Sequence, residues 1–588
     1  MISSKRLIFV TLGVTSIGFH IYLIFAGLIP NLVARPIHVM LAMPWVFLFG
    51  PKSFKETIFG MLFMLAGILC CLYIVLLEAS LSEQYGALEG TGQLILAILL
   101  IAIILEMARQ SVGWPLPCVA LISLIYGLYG QYLPGEFGHP GLPTSSFLGN
   151  LTIAEGGIWG SLTGISVNIV AIFVILGAAL NAGEAGQGFM NLASFVAGRL
   201  KGGAAKISVL SSAFFGSISG SASANVASTG AVTLPAMRKL GYPRSLAGAI
   251  EAVASSGGQI MPPLMGAGAF VMVELTGISY TSIIMAALFP AILYFFSVWV
   301  GINAFSTRYG LSELKSEDRP SLQLVLITGL FFAVPFIILL ERMFLGDYTP
   351  QFAASIAILA ACIMLLVDKY LSLSWSRTLR RIEALAINSG KQIAMIASII
   401  VCASIVIGVL GQTGLGIKIT SFILSASGQN LWPALILTGI ACLILGMEVP
   451  TTAAYVICIS VAGPALQSLG LPSLQAHLFV FWFALLSTIT PPVCGAVFIA
   501  SGIVEENWLK VAKKAMLLGL GLYLIPIGMI ITPELINLQK NPILALLAAT
   551  KMCFALGAIS YGCIALKPAL IRICLIIFGI FVLLTPIP

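Results

Sequence analysis

Two long apolar runs in this chain are interrupted by small and polar residues, Gly216-Ser-Ile-Ser-Gly-Ser-Ala-Ser-Ala-Asn225 in one half and Gly446-Met-Glu-Val-Pro-Thr-Thr452 in the other. Backbone released from a helix inside hydrocarbon is tolerated only where protein or a water-filled cavity satisfies it. Broken runs at matching places in two halves therefore point to irregular backbone gathered around an internal site, the arrangement of a transporter built from two repeats.

Nothing else in the chain favours a water-soluble fold. Of its 588 residues 59% are hydrophobic and 9% charged, too few charges to cover a soluble body of that size. A helix needs about 20 apolar residues to cross the hydrocarbon, and roughly 15 to 17 such runs can be placed, broken ones included. An all-α polytopic membrane protein is expected. The first run, Leu7 to Ile29, follows Lys5 and Arg6 and lacks a small-residue cleavage site, so it is expected to stay as a span with its N-terminus inside.

The formal charge of +8 falls in short clusters between apolar runs: Lys52 and Lys55, Arg199 to Lys206, Arg238 to Arg244, Arg377 to Lys391, and Lys510 to Lys514. That spacing is what positive-inside orientation produces, and it is not a nucleic-acid footprint. The eleven cysteines form no CxxC pattern and lie mostly within apolar runs, which suits core packing. His20, His38, His139 and His477 are scattered along the sequence, so no metal cluster is expected. Glu251 and Glu274 have no close basic partner at helical spacing. The absence of a nucleophilic triad, Walker sequence or dinucleotide fingerprint argues against an ATPase or an oxidoreductase. Energy is expected from a gradient, with no organic cofactor.

A repeat emerges when the halves are set in register. Pro235-Ala236 matches Pro464-Ala465, Leu240-Gly241 matches Leu469-Gly470, Pro243 matches Pro472, and Pro262-Pro263 matches Pro491-Pro492, each displaced by 229 residues. Repeat one is expected over 150–310 and repeat two over 382–520, with 311–381 joining them and 521–588 forming C-terminal spans. Residues 1–130 read as a separate scaffold module of about four plain spans, and 131–160 as a Gly/Pro-rich extracytoplasmic linker and the start of the large module. Basic flanks on both sides of the first break predict a re-entrant hairpin opening to the cytoplasm. From Thr420 to Gln475 only Glu448 is charged, so the second hairpin is expected to open outward. Opposed openings make the repeats inverted.

Each hairpin is followed by another break, Ser255-Ser-Gly-Gly-Gln-Ile-Met-Pro-Pro263 and Ser487-Thr-Ile-Thr-Pro-Pro492. Glycine and proline free carbonyls and amides that can meet a small cation or an anionic headgroup. Four discontinuities are expected near mid-membrane. Asn225 and Gln259 offer a donor and an acceptor there. The alternating serines 217, 219, 221 and 223 have two readings, as ligands or tip-shaping groups and as small residues that let helices pack closely. Glu448, costly in lipid at roughly 3 kcal/mol, reads either as a solvated tip or as part of a cation site.

At these residues the chain resembles the membrane permeases of tripartite ATP-independent periplasmic (TRAP) transporters, specifically the fused permeases that work with a TAXI-type binding protein. The motifs are Gly216 to Asn225 leading into Thr229-Gly-Ala-Val-Thr-Leu-Pro-Ala-Met237, then Glu251 to Pro263, Gly446 to Tyr455, His477-Leu-Phe-Val-Phe-Trp-Phe483 and Thr490-Pro-Pro492. The N-terminal module resembles the small permease subunit.

The resemblance implies sodium-driven uptake of an organic acid across the bacterial or archaeal inner membrane, by an elevator movement, with a TAXI-type extracytoplasmic receptor delivering the solute. It carries tip roles to Ser217, Ser219, Gly220, Ser221 and Asn225, and to Gly446, Pro450, Thr451 and Thr452. Broken-helix roles go to Gly257, Gly258, Pro262, Pro263, Thr490, Pro491 and Pro492, with Na⁺ expected near Ser219, Asn225, Gly258, Thr451 and Thr490. Glu448 stands where related permeases carry an uncharged residue. The competing reading is a receptor-independent ion-coupled dicarboxylate carrier.

Overall fold

The computed structural model describes residues 4–50, 53–446, 451–492 and 494–587, with Ser4, Lys5, Ile218 and Ser219 described by their backbone alone. The described residues are helical throughout apart from turns, short 3-10 segments and one isolated bridge, Val367 with Leu373. Among them, ten helices are long and apolar enough to cross a membrane and seven more are apolar but shorter. The protein is an all-α, multi-spanning membrane protein. Large apolar side chains such as Phe59, Leu62, Leu69, Ile577 and Phe581 stand exposed on outer helices, which suits contact with lipid.

The N-terminal region supplies Ser4–Phe25, Asn31–Leu48, Phe54–Leu76 and Gly90–Val112, and a fifth helix, Pro115–Tyr129, follows. Ser53 and Glu56 form a reciprocal capping box at the start of the third. All but Phe54–Leu76, which packs on Asn31–Leu48 and Gly90–Val112, pack on a 39-residue helix, Trp375–Thr413. Glycines permit the approach: a Cβ at Gly13 would sit 2.3 Å from the Ala386 carbonyl oxygen, and one at Gly390 would sit 2.1 Å from the Trp45 ring.

His20 and His38 are not scattered in space: His20 Nδ1 meets the Ser16 carbonyl at 2.7 Å, its Nε2 meets His38 Nδ1 at 2.8 Å, and His38 Nε2 meets Ser166 Oγ at 3.0 Å. The chain ties two N-terminal helices to the one-turn π-helix Ser166–Val170, and no third metal-ligating side chain joins it among the described residues. Residues 131–160 contain buried, ordered structure. Thr144–Thr152 is a helix, and Phe147, Leu151, Ile158 and Trp159 are fully buried, with Trp159 Nε1 donating to the Thr152 carbonyl at 2.6 Å.

The two halves repeat one order of elements. In the first, Gly203–Ser219 and Ala222–Lys239 form a helix pair, and Arg244–Gly258 and Gly266–Thr276 form an interrupted segment. In the second, the pair is Leu431–Leu445 and Thr451–Ser468, and the interrupted segment is Ser473–Leu486 and Gly495–Val504. Pro262–Pro263 and Pro491–Pro492 both have cis peptide bonds. Leu322–Phe344 and Pro350–Met364 lie between the halves.

Candidate functional site

Hairpin one turns on two residues. Gly220, at φ +62°, takes the left-handed conformation that ends the first arm, and extended Ser221 opens the second by accepting the Ala224 amide at 3.3 Å. The turn rests directly on the interrupted segment. A Cβ at Gly216 would lie 2.5 Å from Gly258 Cα and 2.6 Å from Asn225 Nδ2, and one at Gly220 would lie 2.8 Å from Gly266 Cα. Asn225 is fully buried, and its Nδ2 donates to the carbonyls of Ser212 at 3.0 Å and Ser255 at 3.4 Å. One side chain therefore joins both hairpin arms to the first interrupted segment.

The interrupted segments meet each other through Ser256 and Thr488, whose hydroxyl oxygens are 2.8 Å apart. Gly268 lets the first pack on the second half, since a Cβ there would reach the Phe481 ring at 2.4 Å. Tyr280 Oη donates to the Pro263 carbonyl, and Thr490 Oγ1 lies 2.7 Å from Tyr523 Oη. A tyrosine thus satisfies a freed carbonyl at the first break and meets a side-chain hydroxyl at the second.

A cavity of about 450 Å³ opens where these parts converge. Hairpin one contributes Gly220, Ser221 and Ser223, and the first break contributes Gln259 and Gly266. Gly446, Thr451 and Thr452 come from the second pair, and Ser487, Thr488 and Gly495 from the second break. The remaining wall comes from the long helix, through Gln392, Met395, Ile396 and Ile399, and from Val170, Phe173 and Val174, with Ser111 of Gly90–Val112 at its edge. Among the described lining residues there is no Asp, Glu, Lys, Arg or His. The lining offers hydroxyls, amides and backbone against an apolar wall, a donor set that suits a hard cation or the oxygens of an acid.

Seven of the positions singled out from sequence line this cavity: Gly220, Ser221, Ser223, Gln259, Gly446, Thr451 and Thr452. Others lie behind it. Ser217 Oγ donates to the Phe214 carbonyl at 2.8 Å, Asn225 is engaged in the clamp, and Gly257 packs on Tyr294. Gly258 backs onto Gly216, while Pro262, Pro263, Pro491 and Pro492 shape the two breaks. Of the five positions expected around Na⁺, Asn225 and Gly258 are neighbours, Thr451 faces the cavity, and Thr490 is held by Tyr523. Glu448 and Pro450 lie outside the described residues, as does the Ser219 side chain. Sequence reasoning did not single out Ser487, Thr488, Ser111 or Gln392 as site residues. The first two stand in the second break beside Thr490, whereas the last two sit in unbroken apolar helices that give no local signal.

Comparison with known proteins adds independent findings. The sequence model of the family described as "Tripartite ATP-independent periplasmic transporter, DctM component" matches residues 99–544. The uncharacterized protein YgiK of Salmonella typhimurium is 23% identical over 384 residues, covering 64% of this chain and 84% of its own length. The C4-dicarboxylate TRAP transporter large permease protein DctM of Pseudomonas aeruginosa is 26% identical over 341 residues, 57% of this chain and 76% of its own. The isethionate TRAP transporter permease protein DctMQ of Oleidesulfovibrio alaskensis is 24% identical over 359 residues, 60% of this chain and 55% of its own.

Proposed function

Because the chain belongs to the DctM-component family of TRAP transporters, which its residues 99–544 match, we propose that it takes up an organic acid with sodium and receives that acid from a soluble extracytoplasmic binding protein. Members of this family are transporters and not enzymes. The observation that carries the reading is a cavity lined from both halves by hairpin turns and helix breaks. The solutes in two relatives' names, C4-dicarboxylate and isethionate, support an organic anion.

The absence of fixed charge among the described lining residues favours coupling. An acid entering alone would leave its charge uncompensated in a low-dielectric site, and a cation alone would face too few ligands. Together they neutralise each other, and Gln259, Ser221, Thr451 and Thr452 supply oriented dipoles. The matching order of elements in the two halves supports inverted repeats, and so an elevator movement of the two hairpins with their interrupted segments against the long helix Trp375–Thr413. We assign the four N-terminal helices, which precede most of the family match, to a fused scaffold resembling the small subunit, and the receptor to the TAXI type on the motifs from Glu251 to Pro263.

Proteoliposomes holding the full chain, tested with a panel of small carboxylates, decide the matter. Accumulation should need both an inward sodium gradient and the receptor. Accumulation that ignores the receptor would favour the self-sufficient carrier, and accumulation that ignores sodium would remove the coupling ion. Thr451→Val and Gln259→Ala should lower uptake about tenfold, the effect of losing about 1.4 kcal/mol of binding, while leaving the melting temperature unchanged.

A further inference from the structure

We propose that Glu251 is a proton-binding site: it stands in the first interrupted segment, against the arms of hairpin one, as a neutral carboxylic acid, and the proton it holds is resident in the protein's core, separate from any ion in the cavity. This goes beyond the uptake reading and does not depend on it. Glu251 is fully buried in Arg244–Gly258, and it does not line the cavity. Its carboxyl is surrounded by hydroxyls from three helices. Ser208 Oγ is 2.7 Å from Oε2, Ser212 and Ser255 are each 3.5 Å from Oε1, Thr229 contacts Oε1 and Thr233 contacts Oε2.

A buried carboxylate requires a compensating positive charge, because an unpaired ion in such a place is replaced by its neutral form. None of the ion pairs formed among the described residues includes Glu251. The charged and titratable groups on the packed elements are turned to other partners. Lys206 lies over the Trp299 ring, Lys510 pairs with Glu506, and Lys514 meets Ser245 and the Tyr309 ring. Tyr242 Oη accepts the Ala205 amide, and Tyr294 Oη donates to the Val253 carbonyl. Arg238, Lys239, Lys513 and Arg308 are solvent-side residues with no contact to the carboxyl, and Gly495–Val504 carries no ionisable side chain.

Hydrogen counting points to a proton as the missing charge. Each hydroxyl has one hydrogen to give. Thr229 Oγ1 is 2.8 Å from the Asn225 carbonyl and Thr233 Oγ1 is 3.0 Å from the Thr229 carbonyl, so both also have a helical acceptor. With a proton on Glu251, its O–H donates to one threonine, which passes its own hydrogen to its helical carbonyl, while the other threonine and Ser208 donate to the carboxyl. A metal cation would need room among the same atoms. The direct hydroxyl contacts already close that space, and a Cβ at Gly230 would come within 3.2 Å of Glu251 Cγ. The step is simple protonation: a proton from water joins one carboxylate oxygen and cancels its charge.

Infrared difference spectra of the purified full chain at neutral pH, wild type minus Glu251→Gln, test the assignment. A carbonyl band of a protonated acid should appear, be equal in sodium and choline buffers, and move when Ser208→Ala removes one hydrogen bond. Glu251→Gln should keep the wild-type melting temperature. No such band, or a band present only when sodium is withheld, overturns the proposal, the second outcome making sodium the resident cation. Should Glu251→Gln not fold, the shift of the wild-type band on Ser208→Ala serves alone, and an unmoved band refutes it.

Discussion

Asn225 holds three backbones together with one amide, and this makes it a structural group as much as a site group. Its removal leaves the carbonyls of Ser212 and Ser255 without that donor inside a fully buried contact. Asn225→Ala should cost about 1–3 kcal/mol of stability, read as a fall in melting temperature that accompanies any loss of uptake. Unchanged melting with lost uptake would return Asn225 to the role of a tip ligand. The glycines give a second contrast. Gly216→Ala places a methyl against the Gly258 backbone, which cannot swing aside, and should destabilise by about 1–3 kcal/mol. Gly329→Ala, in Leu322–Phe344 with nothing within 4 Å of the new methyl, should instead be neutral or stabilising by about 0.5–1 kcal/mol. Equal melting shifts in the two variants would contradict the close approach. At this scale Gly220, Ser221, Gln259, Thr451 and Thr452 were legible because polar or small residues inside an apolar run have few other uses. Which face Asn225 presents was not legible, since helical spacing gives an angle and not the neighbour that meets it. The hydroxyls around Glu251 were similarly hidden, because they come from separate helices and converge only through packing.

The interrupted segments were readable as elements because their breakers are local: paired prolines and glycines act on their own backbone wherever the chain goes. The helix in 144–152 was not readable, since its Gly- and Pro-rich flanks dominate the composition while Phe147, Leu151 and Trp159 do the burying. The turn before the long helix makes a pH prediction at this scale. Asp368 accepts the amides of Ser372 and Tyr370, each at 2.9 Å, and the Ser372 hydroxyl at 2.9 Å, and it pairs with Arg377 at 2.7 Å. The Ser372 amide above all, then its hydroxyl, the Tyr370 amide and the Arg377 charge, hold the carboxyl below its ordinary 3.8. A group lowered in the folded state stabilises above its unfolded value, and that contribution disappears as pH falls through the lower folded value. Hydrogen exchange over 366–378 should therefore be slow at neutral pH and quicken only in acid below the ordinary aspartate range. Asp368→Asn should exchange fast at both. Protection in the variant equal to wild type would show that the charge is not what orders the turn.

On the scale of the whole molecule, the cavity has a composite wall: four elements from the two halves on one side and the helix Trp375–Thr413 on the other. The match between halves was visible in sequence because a constant displacement of 229 residues survives in the prolines. The participation of Gln392, Met395 and Ile396 was not, because an uninterrupted apolar helix reads alike on its lipid face and its cavity face. If the hairpins slide against this helix, tethering the two walls should arrest uptake. A bifunctional maleimide bridging Ser223→Cys and Ile396→Cys, in a chain whose eleven native cysteines are replaced, should abolish accumulation, and either single cysteine should not. Full uptake after complete cross-linking would mean that the walls need not part.

Gly216 against Gly258 and Gly220 against Gly266 leave no cushion of side chains between hairpin one and the first interrupted segment. A tremor at the turn is therefore handed undamped to Gln259 and the prolines beyond it. Whatever settles on the serines is felt across the seam before a single rotamer has had the chance to absorb it.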